Sequence, residues 1–317
     1  MQMRRLMLIA SLATMAKCLD QDMSGEAEEC RASERGRGVS IFSPRLWRST
    51  GAWSMQSEIR ETCATVTSSR NRSRWECTWT TNQSLAAVAD MVWLYAGMYN
   101  REEHQASLPP KAAGQQFAVF EGEPKHKHSL FWSWAKIGRG HLFDFEVSWK
   151  LSAHVPSLYC SYADWKDLYR PPPHEWSTEA LVSAFISNAA ASWERTRFLR
   201  ELMDLVPVKS FGRVLNNAIS PPGTEGKVKS MRQYKFALVL ENEVDNDYVS
   251  EKIYEAMMAG VLPIYKGAPN VHKFLPCSHC VLLLDNFNSV QHLAQELRRL
   301  DQDGAAFMEY FRWKKES

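Results

Sequence analysis

The 317-residue sequence has little net charge and no long apolar run. Its 38 lysines and arginines nearly match its 36 aspartates and glutamates, so the formal charge of +2 gives no reason to expect nucleic acid as a partner. The apolar run "LMLIASLATMA", at 6–16, is too short to span a bilayer as a helix. The absence of internal repeats and low-complexity tracts excludes a repeat architecture. A globular chain of two domains, with a sizeable core, is expected.

The N-terminal segment has the composition of a targeting sequence. Arg4 and Arg5 precede the apolar run, which has the length of a signal-peptide core. This pattern predicts entry into the secretory pathway, with the run serving either as a cleaved signal or as part of a membrane anchor. The polar residues 20–60 predict a stem with little regular structure.

The cysteine pattern gives only weak evidence for a metal site. The seven cysteines are compatible with some disulfides in an oxidising lumen. The motif "CSHC" at 277–280 is a C-x-x-C pair without a second pair, so a local disulfide or free thiols are more consistent with it than zinc.

A strand, loop, helix and strand follow one another between residues 234 and 266. "YKFALVLEN" at 234–242 is apolar and rich in aromatic and branched side chains, which predicts a strand buried on both faces. From about Val249 the apolar residues adopt helical spacing, and Gly260 ends the predicted helix. "VLPIY" then predicts a second strand, in which Pro263 disfavours a long central ladder.

Lys252 stands at the start of that helix, where the helix dipole disfavours a cation by ~0.3–1 kcal/mol. In open α/β sheets, ligands bind beside such helix starts, and a bound anion would reverse the penalty. The alternative is an ordinary ion pair between Lys252 and Glu255 on a solvated helix face. The local pattern leaves both interpretations open.

The stretch "YKFALVLENEVDNDYVSEKIYEAMMAGVLPIYKGAPNVHKFLP" at 234–276 resembles the donor-binding motif of the α1,3/α1,4-fucosyltransferases, glycosyltransferase family 10. "FISN" at 185–188 and "GAPN" at 267–270 resemble the plant and invertebrate branch that fucosylates the N-glycan core. Leu240 and Ser250 depart mildly from the family pattern, which has Phe and Thr there.

The resemblance implies an α/β fold of GT-B type, with two Rossmann-like domains facing across a cleft. We expect a signal or anchor segment and stem at 1–60, an acceptor-binding domain at 61–172 and a donor-binding domain at 173–317, with "RPPPHEW" at 170–176 as a stiff boundary. The resemblance further implies an inverting α1,3-fucosyltransferase of the Golgi lumen that uses GDP-β-L-fucose. The expected acceptor is N-acetylglucosamine of an N-glycan core or a related glycoconjugate; a Lewis-type enzyme acting on lactosamine and an inactive glycan-binding homologue are the alternatives.

By the same resemblance, Lys252 and Arg195 bind the donor diphosphate, with Arg197 as the alternative to Arg195. Glu251 accepts hydrogen bonds from the ribose hydroxyls, and Asn242 and Tyr248 line the pocket, although Tyr248 also fits a core aromatic. Since two cations already face the diphosphate, no metal or other cofactor is expected. "DND" at 245–247, which imitates a manganese-binding D-x-D pair, is assigned a role in loop structure.

The catalytic base is expected in the N-terminal half. Attack by a sugar hydroxyl needs a carboxylate to take its proton, whereas a phosphate leaving group needs no acid. The strand "FAVF" at 117–120 is followed at once by glutamates. By resemblance Glu123 is the base, and Glu121 is the alternative.

Overall fold

The computed structural model describes residues 37–42, 46–47, 53–54, 58–67, 72–99, 110–124, 143–162, 165–189 and 194–315. The chain forms two compact units, Met1–Ser157 and Leu158–Ser317, called here the N-terminal and C-terminal units. The domain limits inferred from the sequence, at 60/61 and 172/173, stay predictions.

The N-terminal unit is built on a seven-stranded sheet with the order β4-β5-β1-β6-β7-β8-β9. Its neighbouring strands run parallel except for the antiparallel pair β4–β5, and β2 and β3 form a separate two-stranded sheet. The strands are β1 (Arg37–Phe42), β2 (Leu46–Trp47), β3 (Trp53–Ser54), β4 (Glu58–Thr67), β5 (Arg72–Thr80), β6 (Met91–Tyr95), β7 (Gln116–Glu121), β8 (Phe145–Ser148) and β9 (Val155–Pro156).

Strand β1 differs from the sequence-based expectation of an irregular stem over residues 20–60. It lies inside the sheet, paired in parallel with β5 along its length and with β6 at its last two residues. Its sequence "RGVSIF" contains the branched and aromatic side chains that fit a pleated surface. The polar composition of the surrounding residues led to the prediction of a stem. The strands that pair with β1 lie more than thirty residues further along the chain, so the local sequence does not reveal them.

The C-terminal unit contains a fully parallel five-stranded sheet with the order β11-β10-β12-β13-β14. The strands are β10 (Val182–Ala184), β11 (Val208–Ser210), β12 (Phe236–Leu240), β13 (Leu262–Lys266) and β14 (Leu282–Leu283). The helices are α1 (Trp165–Leu168), α2 (Arg195–Leu205), α3 (Gly223–Met231), α4 (Glu251–Ala259), α5 (Val290–Gln302) and α6 (Gly304–Glu309). Short 3-10 helices cover Gln83–Leu85, Ala96–Tyr99, Tyr159–Tyr162, Val271–Phe274, Leu284–Asn286 and Arg312–Lys315.

Helices cover both faces of this sheet. On one face α2 packs against α5, and their inward leucines, such as Leu199 and Leu297, are fully buried. On the other face α3 packs against α4, with Met231 and Ile253 in a second core. Alternate residues of β12 contribute to the two cores, so the predicted burial of this strand on both faces is confirmed.

The predicted end of the helix after β12 is also confirmed. Helix α4 ends at Gly260, whose φ of 69° is the left-handed conformation that glycine adopts without strain. Pro263 is tolerated in β13 because pairing with β14 involves only Ile264 and Tyr265. Within the described residues, no helix combines the length and apolar composition that crossing a bilayer requires. The N-terminal run at 6–16 lies outside them.

Candidate active site

The C-terminal sheet has one topological switch point, between β10 and β12. The chain leaves β10 for α2 on one face and leaves β12 for α4 on the other, because the strand order reverses there. In open α/β sheets the crevice outside the carboxyl ends of the strands at this point is where ligands bind. The site is therefore defined by the residues that follow β10 and β12 and by the first turns of α2 and α4.

Arg195 is the first residue of α2 and connects the two strand ends at the switch point. Its guanidinium donates to the carbonyl of Asn188 through Nε at 3.1 Å, to the carbonyl of Leu240 at 3.2 Å and to Oδ1 of Asn242 at 2.7 Å. Only 2% of the residue is exposed. Burial lowers the pKa of Arg195, while the nearby Glu241 carboxylate acts in the opposite direction.

Arg197, the sequence-based alternative, lies elsewhere. Its side chain is 69% exposed and pairs with Glu194 at 2.6 Å and with Glu201 at 3.4 Å. Both are ordinary ion pairs on the exposed side of α2. Of the two candidates, only Arg195 lies at the switch point.

Lys252 lies in the first turn of α4, held in a cluster that Glu241 organises. Glu241 is completely buried at the end of β12 and accepts from the backbone N–H of Ser250 at 2.8 Å and from its hydroxyl at 2.7 Å. The ammonium of Lys252 is 2.8 Å from Oγ of Ser250 and 3.4 Å from one carboxylate oxygen each of Glu241 and Glu251. Sequence reasoning missed Ser250 as a partner of this cluster.

The two carboxylates keep Lys252 charged. Burial alone would lower the pKa of Lys252, but Glu241 and Glu251 outweigh that effect and raise the pKa above its usual range. For Glu251 the two effects have the opposite signs. Burial alone would raise its pKa, but the attraction of its carboxylate to Lys252 and Lys227 outweighs burial, so the pKa of Glu251 is lowered. A permanent cation thus stands at the start of α4, with 22% of its side chain exposed.

The ion pair between Lys252 and Glu255 that the sequence left open is not formed. Glu255 instead contacts Lys227 of α3, in a pair whose carboxylate side is 6% exposed. The helix spacing could not reveal this partner, because Lys227 lies 28 positions before Glu255.

Asn242 and Tyr248 lie in the loop between β12 and α4. Asn242 uses its Oδ1 to accept from Arg195, so it belongs to the cluster at the switch point. Tyr248 is only 2% exposed and packs edge-on against Tyr159 at 6.3 Å between ring centroids, which agrees with the core-aromatic interpretation. The donor-binding roles of both residues stay predictions.

The acidic "DND" segment is tied to a neighbouring loop. Asp247 has a φ of 68°, and its backbone N–H donates to Oδ1 of Asn270 at 2.9 Å while its carboxylate accepts from Nδ2 of Asn270 at 2.7 Å. This double contact gives Asp247 a structural role in the loop. The part of the chain that the structure describes brings together no group of three His, Cys, Asp or Glu side chains suited to a metal ion, and the "CSHC" cysteines, Cys277 and Cys280, form a disulfide.

The two candidate bases lie at the end of β7 in the N-terminal unit. Glu121 is 1% exposed, and its Oε1 accepts from the backbone N–H of Glu123 at 2.8 Å. Glu123 is half-buried, and its carbonyl accepts from the indole of Trp149 at 3.2 Å. Burial, with the charges of Glu121 and Glu123, raises the pKa of the neighbouring Tyr95 to about 12. The hydrogen bond from the backbone of Glu123 to Glu121 therefore holds the turn after β7, and Glu123 is the more accessible of the two glutamates.

Comparison with known proteins relates the C-terminal part of the chain to a family. Residues 176–317 match the model of the C-terminal region of glycosyltransferase family 10 (fucosyltransferase). GDP-fucose protein O-fucosyltransferase 3 of Danio rerio is 31% identical over 234 residues, which cover 66% of this chain and 48% of that protein. A putative fucosyltransferase-like protein of Arabidopsis thaliana is 33% identical over 175 residues, which cover 55% of this chain and 33% of that protein. The chain thus spans about half or less of the length of these relatives.

A solved structure supports the fold class. The crystal structure of an α1,3-fucosyltransferase with GDP-fucose is 15% identical, with a TM-score of 0.53, covering 95% of this chain and 88% of that chain. Together with the mostly parallel sheet of the N-terminal unit and the parallel sheet of the C-terminal unit, this likeness confirms the predicted α/β fold of GT-B type. Residues 176–317 of the chain belong to glycosyltransferase family 10, the fucosyltransferases.

Proposed function

We propose that the protein is an inverting fucosyltransferase that moves L-fucose from GDP-β-L-fucose, in α1,3 linkage, to N-acetylglucosamine of an N-glycan core or a related glycoconjugate. One observation carries the donor part of this proposal. Two helices leave the switch point on opposite faces of the sheet, and each has a cation in its first turn, Arg195 in α2 and Lys252 in α4. Backbone N–H groups at helix starts and two cations form a natural site for a diphosphate.

The proposed reaction is a single displacement at the anomeric carbon of fucose. The acceptor hydroxyl oxygen forms a bond to that carbon as the bond to the β-phosphate oxygen breaks, which inverts the configuration. The negative charge that grows on the departing GDP is stabilised by Arg195 and Lys252, so no acid has to protonate it. Their charge is available across the physiological pH range, because the pKa of Lys252 is raised and an arginine stays protonated.

The acceptor proton goes to a carboxylate of the N-terminal unit. We assign this role to Glu123, because Glu121 is buried and already accepts the backbone N–H of Glu123. Glu121 then acts through Glu123 as a positioning residue. The difference in burial supports Glu123 over Glu121 as the base.

A protein hydroxyl is the second candidate acceptor. It is favoured by the relative of Danio rerio, whose name describes protein O-fucosylation and whose similarity covers 66% of this chain. A Lewis-type activity on lactosamine and an inactive glycan-binding homologue are the remaining alternatives.

An acceptor panel separates these functions. Purified protein is incubated with GDP-fucose and, in parallel, with N-glycans carrying an exposed core, with lactosamine and with folded protein domains, and fucosylated products are identified by mass spectrometry. The proposal expects product on the N-glycan core with the linkage to carbon 3. Product found only on a protein side chain, or only on lactosamine, would contradict the proposed N-glycan acceptor and identify the other acceptor instead. GDP binding without any product would favour the inactive homologue.

Matched variants keep this assay interpretable. Lys252→Met removes the cation at the switch point. The control is Lys235→Met. Lys235 directly precedes β12, so it lies at the opposite edge of the same sheet, where it pairs with Asp301 at 2.7 Å. Only the first should abolish transfer.

We also propose that the enzyme works in the Golgi lumen, attached to the membrane through its N-terminus or passing through the secretory pathway. Asn82 of the glycosylation sequon "NQS" is exposed, and a disulfide joins Cys277 and Cys280, both of which fit a luminal protein. Treatment of the protein from eukaryotic cells with an N-glycosidase should increase its gel mobility, and Asn82→Gln should reduce that shift.

A further inference from the structure

The backbone of Glu123, the proposed base, is held by side chains on both sides of its Cα. Its N–H donates to Oε1 of Glu121 at 2.8 Å, and its carbonyl accepts from the indole N–H of Trp149 at 3.2 Å. Both partners are almost fully buried, with 1% of Glu121 and 2% of Trp149 exposed. Because β7 ends at Glu121, these side chains pair backbone groups that the strand ladder no longer reaches. The buried Pro124 that follows also restricts the backbone of Glu123 to extended conformations.

Trp149 is itself fixed by the strand that precedes it. It directly follows β8, which pairs in parallel with β7 so that Ser148 lies opposite Glu121. The hydroxyl of Ser148 donates to Oε1 of Glu146 at 2.9 Å, and the ammonium of Lys150 donates to the same oxygen at 2.8 Å. The residues on either side of Trp149 therefore share one carboxylate of β8, and the indole reaches the end of β7 from a fixed position.

The burial of Trp149 decides what this side chain can do. With 2% of its surface exposed, its ring has no face on which a ligand could pack. Its indole N–H is a donor only, and it donates to the carbonyl of Glu123. An apolar core residue of similar size could fill the same space but could not make this contact. The contact therefore assigns Trp149 a role beyond filling the core.

We propose that Trp149 is a positioning residue for the base, which holds the backbone of Glu123 through its indole N–H and so fixes where the carboxylate takes the acceptor proton. This role rests on the proposed function, in which Glu123 is the base, and adds a second positioning residue to Glu121. A fixed backbone and staggered rotamers leave the carboxylate few places to occupy. Since a base works only within hydrogen-bond reach of the proton it takes, a loosened turn after β7 lowers the rate without weakening donor binding.

Fucose transfer by two Trp149 variants tests this role. Trp149→Phe removes the indole N–H and part of the ring, whereas replacement of Trp149 by benzothienylalanine keeps the shape of the ring and puts sulfur in place of the N–H. The matched control is Trp93→Phe, which removes a buried indole, 6% exposed, from the middle of β6, where Trp93 lies opposite Ala118. Glu123→Gln is measured in the same assay. For each protein we would determine kcat, the KM for GDP-fucose, the Kd for GDP by calorimetry and the stability by denaturant unfolding.

Both Trp149 variants should lower kcat by roughly 10- to 100-fold, as a small misplacement of a reacting group does. The KM for GDP-fucose and the Kd for GDP should keep their wild-type values, because the lost hydrogen bond acts on the base alone. Trp93→Phe should lose stability as Trp149→Phe does and keep its kcat. This split between kcat and KM distinguishes a positioning role from a general loss of folded protein.

The outcomes separate the role of Trp149 from the assignment of the base. Wild-type kcat in the benzothienylalanine protein, or an equal loss of kcat in Trp93→Phe, would overturn the positioning role. If Glu123→Gln loses transfer under either result, Glu123 stands as the base without help from Trp149. Full activity of Glu123→Gln would show that the base is wrong, and the role of Trp149 would fail with it. A wild type that transfers fucose to no acceptor contradicts the proposed function and this role together.

Discussion

Replacing Lys252 by methionine tests how the switch point is held together. The variant keeps the length of the side chain and removes its charge, so Glu241 loses a cation 3.4 Å away. Glu241 is 0% exposed and cannot recover that interaction from water. The backbone N–H and hydroxyl of Ser250 still donate to Glu241, so its carboxylate is not left wholly unsatisfied.

The size of the effect follows from this partial compensation. Removing one partner of a buried ion pair costs roughly 3–5 kcal/mol when the remaining charge has no other partner. Because Ser250 remains and Lys252 is 22% exposed, we expect a smaller loss, about 2–3 kcal/mol in the free energy of unfolding. For a unit of this size, that loss lowers the melting temperature by roughly 5–10 °C.

A double-mutant cycle identifies the cause. Denaturant unfolding is measured for Lys252→Met, for Glu241→Gln and for the double variant, by far-UV circular dichroism. The loss of stability in the double variant should be smaller than the sum of the two single losses by about 1–2 kcal/mol. The reason is that Glu241→Gln removes the carboxylate charge that Lys252→Met leaves unpaired. Additive losses would refute the inference that Glu241 and Lys252 stabilise each other.

Three further predictions concern chemistry, metal and pH. Glu123→Gln should abolish fucose transfer and leave GDP affinity near wild type, since a base for the acceptor has no part in nucleotide binding; retained activity would move the base to Glu121. Transfer should survive EDTA, because Arg195 and Lys252 balance the diphosphate charge, whereas complete loss that manganese restores would favour a role for Asp245 and Asp247. Lys314 donates to the carbonyls of Leu168, Arg170 and Met257 at 2.6 to 3.1 Å, and burial, with Arg232 and Arg170, lowers its pKa to about 7. Between pH 7 and about 10 the unfolded chain therefore binds more protons at Lys314 than the folded chain, so stability should rise with pH by up to ~1.4 kcal/mol per unit relative to Lys314→Met. Parallel unfolding curves of both proteins at pH 7 and pH 9 measure this, and an equal pH dependence would contradict it.

Local patterns were sufficient for the elements around the candidate site. The burial of β12, the helix after it and its end at Gly260 all follow from side-chain periodicity and from the conformational freedom of glycine. The position of Lys252 in the first turn of α4 was predicted for the same reason.

Contacts between distant residues could not be predicted in this way. Helical spacing offered Glu255 as a partner for Lys252, but Lys227 of the neighbouring helix α3 takes that glutamate. The choice between Arg195 and Arg197 depended on where α2 begins and which side of it faces the strand ends. Strand β1 was assigned to a stem because its neighbours in the sheet come later in the sequence.

The central claim is that Arg195 and Lys252 bind the diphosphate of a guanine nucleotide at the switch point. Its most direct test is calorimetric titration of GDP into the wild type, Arg195→Lys, Lys252→Met and the control Arg197→Met. Arg195→Lys retains a cation but lacks the fork that reaches both strand ends. We predict that these two site variants weaken GDP binding by about 10- to 100-fold, as loss of charge-assisted hydrogen bonds does, and that Arg197→Met has no effect. Equal GDP affinity in all four proteins, or a loss confined to Arg197→Met, would contradict the account.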